Sequence, residues 1–341
     1  MIALFILLGA LAIIVSPVIT RFLHQVVPPK HHEGPFWEIY FTSQCQPEFR
    51  LAELIRGAKR EVHMAFYDLD HPEVINALLD RKDEIEISVV TETDNSGSWG
   101  VSRLRDAGIP LKTDNRNPLM HDKFAIIDDS VIWTGSYNLT QRGSSLNYDN
   151  AIVIFAPSLA SNYEAEFQEM WDGYFGAGSP RNTNCCFIIE GVEIENYFAP
   201  EDGVSWHIIS EISTAKKEIR FMVYSFTDKS IAELLVEKHG EGLPVEGILN
   251  KDQERDENSV WRMLAGAGIA VYFPKKKTLH HKVIVIDSSV VITGSFNFTK
   301  SANTRNDENI LIIHSPEFAR AYLEEYERVR SRSIPSDMAE K

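Results

Sequence analysis

Only three cysteines occur in 341 residues, Cys45 and the adjacent Cys185 and Cys186. The odd count excludes a closed disulfide framework, and the spacing fits no zinc site. All three read as ordinary thiols, buried or free. Basic residues are also short: 34 Lys and Arg against 49 Asp and Glu leave a formal charge of −15. Such a chain repels polyanions at long range, which excludes indiscriminate coating of duplex DNA. A local basic patch can still act within a Debye length. Charged side chains are missing altogether from the first nineteen residues, MIALFILLGALAIIVSPVI. That run is close to the length that crosses a bilayer. Residues 1–20 are therefore expected to be a single-pass anchor, with a cleaved signal peptide as the alternative. No Lys or Arg precedes the run, whereas Arg21 and Lys30 follow it, so the body is expected on the cytoplasmic side of a membrane.

What remains is globular: 44% of residues are hydrophobic and 24% charged. Residues 21–36, with VVPPKHHEGP, read as a linker. From Trp37 onwards short strand patterns alternate with helical ones, and the whole order then repeats. The two units are expected at 37–175 and 194–331, joined by a linker at 176–193 and followed by a frayed tail at 332–341. Alternating strands and helices argue for α/β layers with mixed sheets. Trp133, Trp171 and Trp261 fall in apolar patterns and are expected in cores.

The most informative stretch is MHDKFAIIDDSVIWTGSYNLT at 120–140. It returns at 279–299 as LHHKVIVIDSSVVITGSFNFT, identical at 11 of 21 positions. Eight of the eleven shared residues are polar or charged. A core repeat keeps its apolar period and lets polar residues drift, so this one points to chemistry. Read as strands, His121 and Lys123 share one face, as do His280 and Lys282. Asp128 and Asp287 have opposite parity and are expected to support the site from behind, pairing with a cation or capping a turn. Ser136 with Asn138, and Ser295 with Asn297, follow at the same spacing beside Gly135 and Gly294. A doubled set of imidazole, ammonium, hydroxyl and amide suits a phosphate. One imidazole can attack phosphorus while the other protonates the leaving oxygen. Nothing in this set demands a metal ion or a cofactor.

These residues resemble the phospholipase D superfamily, whose signature is His-x-Lys, four residues, then Asp, followed by Gly-Ser-x-Asn. Both copies match it, and the likeness covers about 37–331. The resemblance implies two α/β domains about a pseudo-twofold axis, with one single-chain active site between them. It implies a covalent phosphohistidine, with His121 as nucleophile and His280 as general acid and then base. Lys123, Lys282, Asn138 and Asn297 would hold phosphate oxygens, supported by Ser136 and Ser295. Members also carry a downstream acid that holds an imidazole nitrogen. Asp149 and Glu308 each follow the histidine of their own copy at the same offset. His281, His31 and His32 read as exposed polar residues. Lys275, Lys276 and Lys277 are a candidate phosphate-attracting loop or merely a solvated one.

The substrate is left open between nucleic acid, slightly favoured, and phospholipid. A membrane-tethered module that binds phosphates without turnover is a third reading.

Overall fold

The computed structural model describes residues 34–114 and 119–339. Residues 1–20, expected to be an anchor or signal, lie outside the described residues, as do His31 and His32. Among the described residues no helix is long and apolar enough to cross a membrane.

The first half carries β1 (Trp37–Phe41), β2 (Glu61–Phe66), β3 (Glu86–Thr91), β4 (Leu111–Thr113), β5 (Lys123–Ile127), β6 (Val131–Gly135), β7 (Asn147–Tyr148) and β8 (Asn150–Phe155). Seven of them form a sheet in the order β1-β8-β6-β5-β2-β3-β4. The pairs β2–β3 and β3–β4 are parallel, and the rest of that sheet is antiparallel. The second half carries β9 (Cys186–Ile189), β10 (Val192–Ala199), β11 (Ile219–Val223), β12 (Val245–Leu249), β13 (Ala270–Pro274), β14 (Thr278–Leu279), β15 (Lys282–Ile286), β16 (Val290–Gly294), β17 (Glu308–His314) and β18 (Ser333–Pro335). Its sheet repeats the order of the first and adds β18 and β9 at its edges.

Those edge strands correct two expectations. The stretch read as a linker at 176–193 contains β9, which pairs with β10 across the Glu190–Gly191 turn. The stretch read as a frayed tail contains β18, antiparallel to β13. Ser333–Pro335 is very short and ends in proline, so its strand pattern is hard to see; an edge tolerates it because one side needs no partner. Cys185 and Cys186 are joined in a disulfide, which corrects their reading as thiols, while Cys45 is free and exposed.

Each sheet has an outer core under its own helices. The two inner faces share a third core, which draws on both halves. Helices Pro157–Asp172 and Pro316–Arg330 lie in it. Each starts with proline at the first turn, where the missing N–H costs nothing. Leu159, Tyr163 and Phe167 recur at helical spacing on one helix, and Phe318, Tyr322 and Tyr326 do so on the other, so each buries one stripe. Gly173 stops the first helix in a left-handed conformation. Trp133 and Trp261 are buried as expected, whereas Trp171 is only partly so.

The halves are also stitched by backbone. Strand β7 pairs with β14, and Met120 bridges to Asp307, both in parallel. The residue after each of these stitches is chemical: His121 N–H donates to Asp307 O at 3.0 Å, and His280 N–H to Tyr148 O at 2.9 Å. The entry to each motif is thereby fixed by the other repeat.

Candidate active site

The site grows from that stitching. His121 Nδ1 lies 2.8 Å from Glu308 Oε2, and His280 Nδ1 lies 2.7 Å from Asp149 Oδ1. The pairs therefore cross: each carboxylate holds the imidazole of the other repeat, not of its own. Ser136 Oγ donates to Asp149 Oδ1 at 2.6 Å, and Ser295 Oγ to Glu308 Oε2 at 2.7 Å, which orients both acids. With Nδ1 occupied, Nε2 of each ring is the atom left for chemistry.

The glycines explain how the serines get there. A Cβ on Gly135 would sit 2.4 Å from Asn150 O, and one on Gly294 would sit 2.1 Å from Asn309 O. Their φ values, +139° and +151°, also exclude ordinary side chains. Only glycine lets β6 and β16 press against β8 and β17 closely enough for Ser136 and Ser295 to reach the acids.

Lys123 and Lys282 are buried, and each ammonium donates to the backbone carbonyl of its own motif histidine at 2.6 Å. Burial lowers both: Lys123 to about 8, and Lys282, which also feels Lys123, to about 7. Burial likewise lowers both imidazoles, His280 to about 4 and His121 well below its ordinary value. His121 also feels Lys123, Lys282 and His280. The field at one imidazole thus includes the other imidazole and both ammoniums, so the two motifs form one electrostatic cluster. Asn138 and Asn297 are half-buried, each with a buried amide oxygen that has no hydrogen-bond partner.

Asp128 and Asp287 stand apart from this cluster; grouped with the site for their motif, they take the expected supporting role of capping a turn and not a catalytic one. Asp128 accepts the backbone N–H groups of Lys59, Arg60 and Glu61 at 2.7–3.2 Å. Asp287 does the same for Lys216, Lys217 and Glu218 at 2.6–3.1 Å. Each has positive φ in the turn after its strand, a conformation that a short polar side chain tolerates. They staple a turn, one of the two supporting roles expected of them.

His281 is also corrected. It is fully buried, with Nδ1 3.1 Å from Asn150 Oδ1 and Nε2 3.6 Å from Glu325 Oε1. Its counterpart Asp122 is fully buried too, and accepts from Asn309 Nδ2 at 2.5 Å. Asn150 and Asn309 tie the halves together behind the acids. Asn150 Nδ2 donates to Thr293 and Tyr322, while Asn309 Oδ1 accepts from Thr134 and Tyr163. The signal for them was present in NYDN and NDEN, each asparagine following its acid.

Tyr67 and Tyr224 were missed as well. Each ring lies 4.8 Å from the motif imidazole, and over each lies the motif lysine, at 5.2 and 5.1 Å. Lysine over a ring at this distance gains a cation–π attraction. The repeat places both tyrosines at the end of the equivalent strands β2 and β11, which would have found them.

Two copies of one motif, joined into one crossed cluster, match a known family. The family model described as "Cardiolipin synthase, PLD-like domain" matches residues 51–171 and 208–330. The chain belongs to the phospholipase D superfamily. A protein named "Phospholipase D" from Rickettsia bellii (strain RML369-C) is 33% identical over 142 residues, covering 41% of this chain and 71% of that one. A "Mitochondrial cardiolipin hydrolase" from Xenopus laevis is 30% identical over 129 residues, covering 37% of this chain and 61% of that one. A crystal structure of phosphatidylserine synthase from Haemophilus influenzae Rd KW20 superposes with a TM-score of 0.67 at 12% identity, covering 88% and 87% of the two chains, and shows the shared fold. This phospholipase D superfamily member is a phosphodiesterase.

Proposed function

We propose that this chain hydrolyses the phosphodiester bond of a phospholipid through a phosphohistidine. The observation that carries the reaction is the crossed pair of His–carboxylate contacts, which engages both Nδ1 atoms and leaves both Nε2 atoms for chemistry. One Nε2 attacks phosphorus and the P–O bond to the leaving group breaks. The other gives that oxygen its proton, then takes one from water as water displaces the enzyme nitrogen. Lys123 and Lys282, with Asn138 and Asn297, would hold the phosphate oxygens as negative charge builds on them. Asp149 and Glu308 would fix the imidazole tautomers.

Three observations support lipid. Relatives from two different organisms carry lipid names. The charge of −15 opposes a long polyanion. Leu146, 57% exposed, immediately precedes the seam strand β7 and offers an apolar contact close to the His280 end. An anchor at residues 1–20, as expected from the sequence, would keep the site beside such a substrate. Nucleic acid is the second reading, favoured by Lys275 and Lys276, which are exposed, and by Lys277 over the Tyr148 ring at 5.6 Å.

The test offers the full chain, in mild detergent, phosphatidylcholine or cardiolipin vesicles and labelled single-stranded DNA in parallel. Lipid turnover at least about tenfold above DNA cleavage in kcat/KM, roughly 1.4 kcal/mol of discrimination, is the expected result. The reverse order would replace the lipid reading with the nuclease one.

A further inference from the structure

The family expectation makes His121 the nucleophile, but the two ends of this site are not equivalent. We propose, resting on the phosphohistidine reading above, that His280 attacks phosphorus and His121 donates the proton, because buried Asp122 loads the His121 end with negative charge. Asp122 and His281 occupy the same place in the two motifs. Asp122 is fully buried, bonded to Asn309, and acts on the neighbouring Glu308. His281 stands behind Asp149 through Asn150, and itself faces Glu325.

The asymmetry continues outward. Met120 N–H, just before His121, donates to Glu92 and Asp114; burial and then Asp114 raise Glu92 to about 8, so at neutral pH this pair holds one proton and one negative charge. The matching Leu279 N–H donates to the neutral amide of Asn250. Asp68 follows Tyr67 and acts on Lys123, whereas Ser225 follows Tyr224. At the His280 end the carboxylate near Tyr224 is Asp252, and Arg142 opposes it.

Excess negative charge retains a proton, and scarcity releases one. Burial, reinforced by Asp122, raises Glu308 to about 8 against the pull of Lys123, Ser295 and Lys282. Burial would raise Asp149 too, but His280, Lys282 and Ser136 hold it below its ordinary value. With Asp122 behind Glu308 and His281, not a carboxylate, in the matching place behind Asp149, the His121–Glu308 pair holds an extra proton more tightly than the His280–Asp149 pair. His121 presents an Nε2–H. His280 keeps its one proton on Nδ1, toward Asp149, and presents an Nε2 lone pair.

The step balances. The His280 Nε2 lone pair forms the N–P bond as the P–O bond to the leaving group breaks. His121 Nε2–H passes its proton to that oxygen, and the proton shared with Glu308 settles on His121 Nδ1. Water then attacks phosphorus, its proton returns to His121 Nε2, and the N–P bond breaks to free a phosphomonoester.

The experiment is a rapid-quench first turnover of bis(p-nitrophenyl) phosphate by the full chain, with peptide mapping of the acid-labile label. p-Nitrophenolate leaves without a proton, so the acid is dispensable for bond cleavage but not for the water step. In wild type the label is expected on His280. His121→Ala is expected to keep a burst of about one nitrophenolate per chain and trap the label, while His280→Ala loses the burst at least 100-fold. Label on His121, or a burst kept by His280→Ala and lost by His121→Ala, overturns the assignment. Turnover in wild type with no histidine label overturns the covalent reading beneath it. If an alanine variant misfolds, Asp122→Asn gives the second readout: the alkaline fall of kcat on a poor leaving group moves to lower pH by at least half a unit. An unmoved alkaline limb overturns the role given to Asp122.

Discussion

Asp149→Asn is the substitution that tests the crossed pairing most directly. Asp149 Oδ1 accepts from His280 Nδ1 at 2.7 Å and from Ser136 at 2.6 Å. Asparagine keeps an oxygen in that place but removes the charge that steadies His280 as its ring becomes cationic on bonding phosphorus. A charge-assisted hydrogen bond is stronger than a neutral one by about 1–2 kcal/mol, and here the upper end applies because both groups are buried. A loss of about 2 kcal/mol lowers the first-turnover rate by roughly 30-fold. KM should hold within about twofold, because Asp149 reaches the substrate only through the ring. The assay is the nitrophenolate burst, run in wild type and again in His121→Ala. If Asp149 serves His280, the roughly 30-fold loss persists without His121, since the two act independently. Glu308→Gln in the same His121→Ala background should add less than about threefold, because its partner is already gone. The opposite pattern, with Asp149→Asn silent and Glu308→Gln costly, would mean that each acid serves the histidine of its own repeat, and would refute the argument.

Four other outcomes are expected. Raising pH through about 7 to 8 should remove charge first from Lys282 and then from Lys123, so KM should climb several-fold; a KM flat to pH 9 would contradict their role as phosphate holders. His280, lowered to about 4, gains its second proton only below that value, so the burst rate should hold down to about pH 5 and fall beneath pH 4. Asp128→Ala should lower stability by about 2 kcal/mol, read from chemical unfolding, because backbone donors lose a charged acceptor; kcat of the folded fraction should change less than twofold. Gly135→Ala should leave little folded protein on circular dichroism, since its Cβ would overlap Asn150 O and its φ is positive; a Tm within about 2 °C of wild type would sink the close-approach argument.

The buried polar layer behind the site also governs how the halves cohere. Asn150 and Asn309 each bond across the seam, and each also receives backbone support from its own repeat's serine: Asn150 N–H donates to Ser136 Oγ, and Asn309 N–H to Ser295 Oγ. Such groups gain modestly when paired and cost more when one partner is lost. The seam is therefore specific as well as apolar: a shifted docking of the two sheets would strand these amides and break the His–carboxylate contacts at the same time.

The repeat of His-x-Lys, Asp and Gly-Ser-x-Asn by itself determined the family and the reaction class, and the strand and helix patterns alternating around it determined the α/β architecture. Strand parity read from the sequence pointed Asp128 and Asp287 away from His121 and His280, and the structure reaches the same outcome by another route, since both lie past the strand at positive φ in a turn. Sequence also showed each acid following its histidine at one fixed offset, but it could not say which acid meets which ring. That choice belongs to the seam, where β7 meets β14 and Met120 meets Asp307, and one-dimensional spacing contains no term for contacts between repeats so far apart along the chain. The burial of His281 and Asp122 was hidden for the same reason. Each has the composition of a surface residue, and only the packing of two sheets around one pocket turns that pair into a difference of charge between the two ends of the site.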